Sequence, residues 1–315
     1  MGWVEVTTGF LSATIAMGTV LLLACIGEIL TEKSGVLNLG LEGMMIVGAV
    51  FAFIVVQTTG NLVLAIAASL LAGALMGLIH AFITVTLKAS QVVSGLALTI
   101  FGVGLANFLG QNYVGTVRVA SLQAIPIPLL SEIPIIGEAL FNQSILVYVS
   151  ILLVPISWIL IYRTRAGLKL RAVGENPSSA DSLGINVFAT RYIYTLIGGA
   201  LTGLAGAYLS IGFNSSWMDS ITGGQGWIAV ALVIFATWNP IKAMLGSYLF
   251  GFILILGLRL QAFGIEIPEM LFTMLPYIFT IVVLIFSTGK FGKNSKIKQR
   301  EPGSLGTPYD REARH

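Results

Sequence analysis

Long runs of apolar residues, separated by short polar segments, dominate the chain from residue 9 to residue 287. A helix that crosses a lipid bilayer needs about 20 consecutive, mostly apolar residues. Runs of this kind predict spanning helices near 9–30, 40–57, 61–86, 91–110, 144–162, 191–211, 224–238, 243–261 and 270–287. The pattern therefore predicts an all-α, polytopic transmembrane helical bundle of about nine spans, in which 224–238 is short for a full crossing.

The composition supports a lipid environment for most of the chain. Of the 315 residues, 56% are hydrophobic and only 10% are charged, whereas a soluble domain carries about 25% charged residues. A soluble protein with an unusually large core is excluded, because a core helix is rarely apolar on every face.

The positions of the basic residues predict the orientation. If the N-terminus lies outside, fifteen of the seventeen Lys and Arg residues fall on the inner side, and only Arg118 and Arg259 fall outside. Basic residues concentrate on the cytoplasmic side of membrane proteins. We therefore expect a multi-pass protein of the cytoplasmic membrane, with a transmembrane domain over 1–288 and a cytoplasmic C-terminus. The basic tail, 289–315, is predicted to be disordered and to lie near anionic lipid.

Stripes of small residues on two predicted helices indicate close helix packing. The sixth span carries Gly199, Gly203, Gly206 and Ser210 on one face, and the fourth carries Gly95, Thr99, Gly102, Ala106 and Gly110. Small residues let helix backbones approach each other where lipid supplies no hydrophobic driving force.

The long inner loop, about 163–190, contains the start and stop signals of a short helix. Asn176 is a good N-cap, and Pro177 suits the first helical position. Gly184 can adopt the left-handed conformation that ends a helix. A helix of about two turns is too short to be stable alone. We expect it to dock on a cytoplasmic protein, and the alternative is a capped surface helix without a partner.

Polar residues inside predicted spans are candidates for a substrate path, since polar groups in a membrane tend to face a cavity or a partner helix. Asn107 lies about 100° from the small-residue stripe of the fourth helix, and it either lines a cavity or bonds a neighbouring helix. Gln225 and Trp227 follow a Gly-Gly turn expected at the outer face, where they form either a gate or an interfacial belt.

Asn38 and Glu42 flank the start of the second predicted span. For Glu42 the favoured role is structural, because a carboxylate in a first helical turn interacts well with the helix dipole. The alternative is a binding role, since the second helix is barely long enough to span and interrupted helices often carry transporter sites. Glu28 and Glu32 are expected to lie too near the inner boundary to need burial in the membrane.

The residue inventory argues against catalysis in this chain. One cysteine, Cys25, and two distant histidines, His80 and His315, cannot form a zinc or haem site. The chain has neither the paired aspartates nor the His-Glu-x-x-His helix that would indicate an intramembrane protease. It also lacks a phosphate-binding loop for ATP. We expect no metal and no cofactor in this chain.

Five segments resemble one transporter superfamily. The segments 171–177 and 183–186 resemble the coupling loop of the ABC permeases that serve ribose, branched-chain amino acids and nucleosides. The segments 27–45, 90–98 and 223–232 resemble the nucleoside branch. The resemblance implies that the residues that couple to an ATPase are Arg171, Gly174, Glu175, Asn176, Pro177, Asp181 and Gly184.

The resemblance also implies a function and a set of partners. The chain is expected to be the permease subunit of an ATP-driven importer of nucleosides, with ATP bound and hydrolysed on a separate cytoplasmic ATPase. A sister permease, in a heterodimer, and an extracytoplasmic substrate-binding lipoprotein complete the assembly, and no nucleic acid is expected. The alternatives are a simple sugar or riboflavin as substrate, and, more distantly, a secondary transporter that acts alone.

Overall fold

The computed structural model describes residues 3–262, 268–288 and 301–311, and it is dominated by helices. In chain order these are α1 (Trp3–Lys33), α2 (Leu41–Thr59), α3 (Leu62–Ala81), α4 (Gln91–Gly110), α5 (Ile136–Phe141), α6 (Ile145–Arg163), α7 (Arg165–Glu175), α8 (Pro177–Ser182), α9 (Val187–Ala207), α10 (Gln225–Phe235), α11 (Pro240–Ala262) and α12 (Glu269–Thr288). Two helices continue as π-helix, α3 through Phe82–Thr86 and α9 through Tyr208–Phe213, and a 3₁₀ turn, Gln111–Tyr113, follows α4.

The long loop between α4 and α6 carries a little structure of its own. Its strands β1 (Ala124–Pro126) and β2 (Asn142–Ser144) pair antiparallel, with Ala124 opposite Ser144. The short helix α5 lies between these strands in chain order. Val117 forms an isolated β-bridge with Ser216.

Seven helices in the described part of the chain are long and apolar enough to cross a membrane. They are α1, α2, α3, α4, α6, α9 and α11, each taken with its π-helical or 3₁₀ continuation where it has one. The other two predicted spans coincide with α10 and α12, and α10 has only 11 residues. The predicted polytopic helical bundle is confirmed, and 224–238 is indeed too short for a full crossing.

The small-residue stripes pack closely against neighbouring parts of the chain, as predicted. A Cβ atom on Gly203 of α9 would lie 2.4 Å from the Ser69 carbonyl oxygen of α3, and one on Gly206 would overlap the Met45 carbonyl of α2. On α4, a Cβ atom on Gly102 would lie 2.5 Å from the Gly43 carbonyl oxygen. Backbones therefore touch at these positions, because no side chain separates them.

One end of the bundle, here called the basic end, is formed by Lys33, Lys88, α7 and α8. Residues 301–311 fold back onto this end, and Ser304 and Tyr309 are buried there. The prediction of a disordered tail is therefore wrong for 301–311, because these residues find buried partners on α7, α8 and α9. Residues 289–300 and 312–315 of that tail lie outside the described residues.

Candidate functional site

The helices α2 and α10 both begin in the middle of the bundle. Gly43, in the first turn of α2, packs against Gly102, which is near the midpoint of the 20-residue helix α4. A Cβ atom on Gly226, in the first turn of α10, would lie 2.5 Å from the Glu42 Cα atom. The N-termini of the two helices therefore meet at mid-depth, and the non-helical segments 34–40 and 214–224 lead to them from opposite ends.

Glu42 joins these two helix starts. Its Oε1 accepts hydrogen bonds from the Thr222 hydroxyl at 2.5 Å and the Gly224 amide at 3.0 Å, and its Oε2 accepts one from the Gly226 amide at 2.7 Å. The first amides of a helix have no intrahelical acceptor. A carboxylate at this place satisfies them and lies at the positive ends of both helix dipoles. The predicted structural role of Glu42 thus extends from its own helix to α10.

Glycines allow this approach. Gly223 and Gly224 have φ angles of +54° and +82°, a backbone region that residues other than glycine rarely adopt. Gly226 has no side chain, so the α10 backbone can reach Glu42. Sequence reasoning did not identify Thr222, although a hydroxyl directly before a Gly-Gly turn and a helix is a recognisable signal for a capping group.

Asn38 belongs to the buried segment 34–40 that precedes α2. Its Oδ1 accepts a hydrogen bond from the Gly40 amide at 3.0 Å, and its Nδ2 donates to Glu28 Oε2 on α1 at 3.1 Å. Both ends of the Asn38 amide are therefore used within the protein. Asn38 fixes the entry into α2 and does not present an open polar group.

Side chains of α3 and α4 form hydrogen bonds with the backbone of the segment 34–40 at Leu37 and Leu39. His80 Nε2 donates to the Leu37 carbonyl at 3.0 Å, and the Thr99 hydroxyl donates to the Leu39 carbonyl at 3.0 Å. The Leu37 amide donates to Gln91 Oε1 at 2.6 Å. The extended chain thus has its backbone groups satisfied by α3 and α4, as a non-helical segment inside a bundle requires.

Glu28 and Glu32 are buried inside the protein. They are only 1% and 2% exposed, although they lie toward the basic end of α1. Besides the bond from Asn38, Trp238 Nε1 donates to Glu32 Oε2 at 2.5 Å. The two carboxylates are buried because the segment 34–40 and the turn after α10 both fold over this part of α1.

Two of the candidate path residues carry unused acceptors. Asn107 on α4 and Gln225 on α10 are partly exposed, yet Asn107 Oδ1 and Gln225 Oε1 are shielded atoms that accept no hydrogen bond within the described residues. A shielded polar atom without a partner is costly in a folded chain. Both atoms are suited to accept a hydrogen bond from a substrate or from an adjoining subunit. Trp227, also partly exposed, is two residues beyond Gln225.

The predicted coupling loop forms the capped helix that its sequence indicates. The Asn176 side chain accepts from the Ser179 amide at 2.9 Å, Pro177 is the first residue of α8, and Gly184 has a φ of +79°. The same Asn176 ends α7, whose own N-cap is Thr164. The loop is therefore two short helices that share a single capping residue.

The other predicted coupling residues have contacts within the chain. The Arg171 guanidinium lies 5.7 Å from the centre of the Tyr162 ring, and a Cβ atom on Gly174 would lie 2.1 Å from the Lys33 carbonyl oxygen. Glu175 and Asp181 both face residues 301–311: Glu175 Oε2 accepts from the Gly303 amide at 3.4 Å, and Asp181 pairs with Arg311 at 2.9 Å. Two of the seven residues assigned to ATPase coupling thus contact the tail of the same chain.

Residues 301–311 were missed as a structural element by sequence reasoning. The sequence Pro-Gly-Ser-Leu-Gly-Thr-Pro-Tyr from Pro302 to Tyr309 contains turn residues that end on an aromatic ring, and this is the available signal. Burial raises the pKa of Tyr309, and a hydrogen bond to the Asp181 carboxylate raises it further. Among residues 3–262, 268–288 and 301–311, no cluster of His, Cys, Asp and Glu could hold a metal ion.

Comparison with known proteins relates this architecture to a transporter family. A model of the family described as branched-chain amino acid transport system / permease component matches residues 10–287. A putative glucose ABC transporter permease protein of Haloferax volcanii, TsgC13, is 38% identical over 96% of this chain and 98% of its own length. The nucleoside ABC transporter permease protein NupC of Lactococcus lactis is 39% identical over 86% of this chain and 90% of its own.

The guanosine ABC transporter permease protein NupQ of Bacillus subtilis is 35% identical to this chain and aligns over 98% of both proteins. The family match therefore covers the helical bundle, α10 and the coupling loop, and these relatives align with most of the chain. The chain is an integral membrane protein and belongs to the family of branched-chain amino acid transport system permease components.

Proposed function

We propose that this chain is the permease subunit of an ATP-driven ABC importer of nucleosides. The observation that carries the proposal is its identity of 35–39% with a guanosine and a nucleoside permease over most of its length. In this proposal a cytoplasmic ATPase docks on α7 and α8, a sister permease completes the path in a heterodimer, and a binding lipoprotein delivers the substrate. ATP is bound and hydrolysed on the ATPase, and this chain carries no cofactor.

The polar groups of the candidate path residues suit a neutral substrate. A nucleoside presents hydroxyl and amine donors and an aromatic base, and it has no net charge. The unused acceptors of Asn107 and Gln225 and the ring of Trp227 would meet such groups. Glu42 and Asn38 would shape the path without contacting the substrate, because their polar atoms are engaged within the chain.

A simple sugar is the second candidate substrate, and a specific observation favours it. The relative TsgC13, aligned over almost the whole chain, is named a putative glucose permease. A sugar and a nucleoside share the hydroxyl groups that would bond to amide oxygens. They differ in the aromatic base, for which only a nucleoside permease needs a stacking surface.

Uptake by the assembled transporter tests the function. The complex of this chain with its ATPase and sister permease is placed in proteoliposomes with the binding protein, and uptake of radiolabelled guanosine is measured. We expect ATP-dependent uptake that unlabelled nucleosides inhibit and glucose does not. Inhibition by glucose alone would favour the sugar, and uptake by this chain without the ATPase would indicate a secondary transporter.

The variant Asn107→Leu tests the path in the same assay. The loss of one hydrogen bond, about 1–2 kcal/mol, should lower uptake by roughly 5- to 30-fold without loss of assembled complex. The control Phe108→Leu changes the next residue on α4, whose ring is 68% exposed, and should leave uptake unchanged. Equal uptake by the two variants would remove Asn107 from the path, and loss of assembly in Asn107→Leu would make its amide a helix contact.

A further part of the proposal is the membrane topology of nine spans, with the N-terminus outside and the C-terminus in the cytoplasm. Its support is the distribution of Lys and Arg and the clustering of α7, α8 and residues 301–311 at one end of the bundle. In the background Cys25→Ala, we expect Ser178→Cys to resist an impermeant thiol reagent in intact cells, and Glu132→Cys to react. Both side chains are exposed, so labelling of Ser178→Cys from outside would overturn the orientation.

A further inference from the structure

Residues 301–311, here called the strap, connect parts of the basic end that are far apart in sequence. The Ser304 amide and hydroxyl both donate to the Gly174 carbonyl of α7, at 2.9 and 2.8 Å. Tyr309 is buried in a cluster with Val173, Ala180 and Val187 of α7, α8 and α9. The strap thus contacts each of the three helices around the coupling loop.

A buried arginine depends on the strap. Arg191 of α9 is 1% exposed, and its guanidinium donates to Ser304 Oγ at 3.2 Å and to the Thr307 carbonyl at 3.4 Å. Within the described residues, both hydrogen bonds of this guanidinium go to the strap. A buried cation without acceptors is strongly unfavourable. The strap therefore supplies the hydrogen-bond acceptors that the buried charge of Arg191 needs.

The strap also holds α8 directly. Arg311 pairs with Asp181 of α8 at 2.9 Å, and the Tyr309 ring packs on Ala180. The helix α8 has only six residues, and a helix this short is not stable without tertiary contacts. Contacts from the strap therefore add to those from α7 and α9 that keep α8 in its observed position.

On its other side the strap reaches the helices that lead to the mid-depth junction. Asp310 pairs with Lys88, before α4, at 2.7 Å. Gln91, at the start of α4, donates from Nε2 to the Thr307 carbonyl at 3.4 Å, while its Oε1 accepts from the Leu37 amide at 2.6 Å. Leu37 lies in the segment that enters α2. A continuous set of contacts thus runs from α8 through the strap to the start of α2.

We propose that the strap holds α8 in its docking position and forms, with α8, a composite docking surface for the ATPase. The strap makes α8 and the entry to α2 move as one unit, so that a displacement of α8 reaches the mid-depth junction. The part that concerns the ATPase rests on the proposed function, whereas the part that concerns α8 depends on this chain alone. The exposed side chains of Leu183 and Arg311, 81% and 72% accessible, would flank the docked partner.

Hydrogen exchange of the full chain, measured with and without the ATPase, tests the strap. We compare the full chain with a truncation after residue 300 and with Tyr309→Ala, and we follow the amides of 177–184. Exchange of these amides should accelerate at least fivefold in both variants. The control Pro308→Ala alters an exposed strap residue and should leave the exchange unchanged. Unaltered exchange in Tyr309→Ala would overturn the proposal.

A charge reversal gives a second measurement if the truncation fails to assemble. The single changes Asp181→Arg and Arg311→Asp should each raise the amide exchange of α8, and the double variant should return it toward that of the full chain. Substrate uptake per ATP hydrolysed should follow the same order. Additive effects in the double variant would contradict a direct contact between the strap and α8.

The two proposals fail in different ways. If the unaltered chain associates with no ATPase, the proposed function is wrong, and the exchange of α8 still decides the role of the strap. If the ATPase associates and couples equally well with Tyr309→Ala and with the unaltered chain, the composite surface is wrong and the proposed function stands.

Discussion

Replacement of Gly48 by alanine is expected to prevent normal assembly of the helical bundle. A Cβ atom at this position would lie 2.4 Å from both the Cα atom and the carbonyl oxygen of Gly203 on α9. The colliding atoms belong to backbone, so the two helices must separate. Overpacking of a core costs about 1–3 kcal/mol when side chains can adjust. We expect at least the upper part of that range here, because no side chain can move aside.

The matched control for this change is Gly104→Ala on α4. A Cβ atom on Gly104 meets no atom within 4 Å, and alanine is more favourable than glycine in a helix by about 0.5–1 kcal/mol. Thermal unfolding of the purified complex should therefore show a large loss of stability for Gly48→Ala and none for Gly104→Ala. Equal melting temperatures for the two variants would show that α2 and α9 do not approach as closely as described.

Removal of the Glu42 carboxylate should have the second large effect. In Glu42→Leu, the Thr222 hydroxyl and the amides of Gly224 and Gly226 lose their acceptor. Each unsatisfied buried group costs about 1–3 kcal/mol. The start of α10 should therefore leave its place against α2, and substrate uptake per assembled complex should fall below a tenth of normal.

The variant Glu42→Gln separates hydrogen bonding from charge. Its carbonyl oxygen can still accept from two of the three donors, whereas its amide nitrogen cannot accept any. We expect uptake and thermal stability between those of the unaltered protein and Glu42→Leu. The control Glu138→Leu removes an exposed carboxylate on α5 and should change neither quantity. Full activity in Glu42→Leu would mean that the junction of α2 and α10 holds without this carboxylate.

Features that depend on nearby residues were predictable. The caps of α8 are local, because Asn176 bonds to an amide three residues ahead and Gly184 adopts its left-handed conformation by itself. The stripes on α4 and α9 follow from helical periodicity, which places Gly95 and Gly102 on one face. The short length of the apolar run 224–238 also indicated that α10 would not cross the whole membrane.

Features that depend on distant residues were not predictable in this way. Glu42 has its partners about 180 positions away along the chain, and no local pattern distinguishes an acceptor for α10 from a carboxylate that serves α2 alone. Burial of Glu28 and Glu32 depends equally on Asn38 and Trp238, which reach them through separate turns. A hydropathy average over a window of neighbouring residues places Glu28 and Glu32 at the end of a spanning helix and gives no sign of their burial.

Three properties could be determined from the sequence alone. The protein is a polytopic helical membrane protein, the small-residue faces of α4 and α9 are packed, and a capped short helix lies in the long basic loop. These properties depend on apolar length, helical period and local hydrogen bonding, each of which is readable within about 20 residues. Only the tertiary structure decided that α2 and α10 meet at Glu42, and that the strap lies on α8 and covers Arg191. Such contacts join residues more than 100 positions apart, and their partners are selected by packing of the whole bundle.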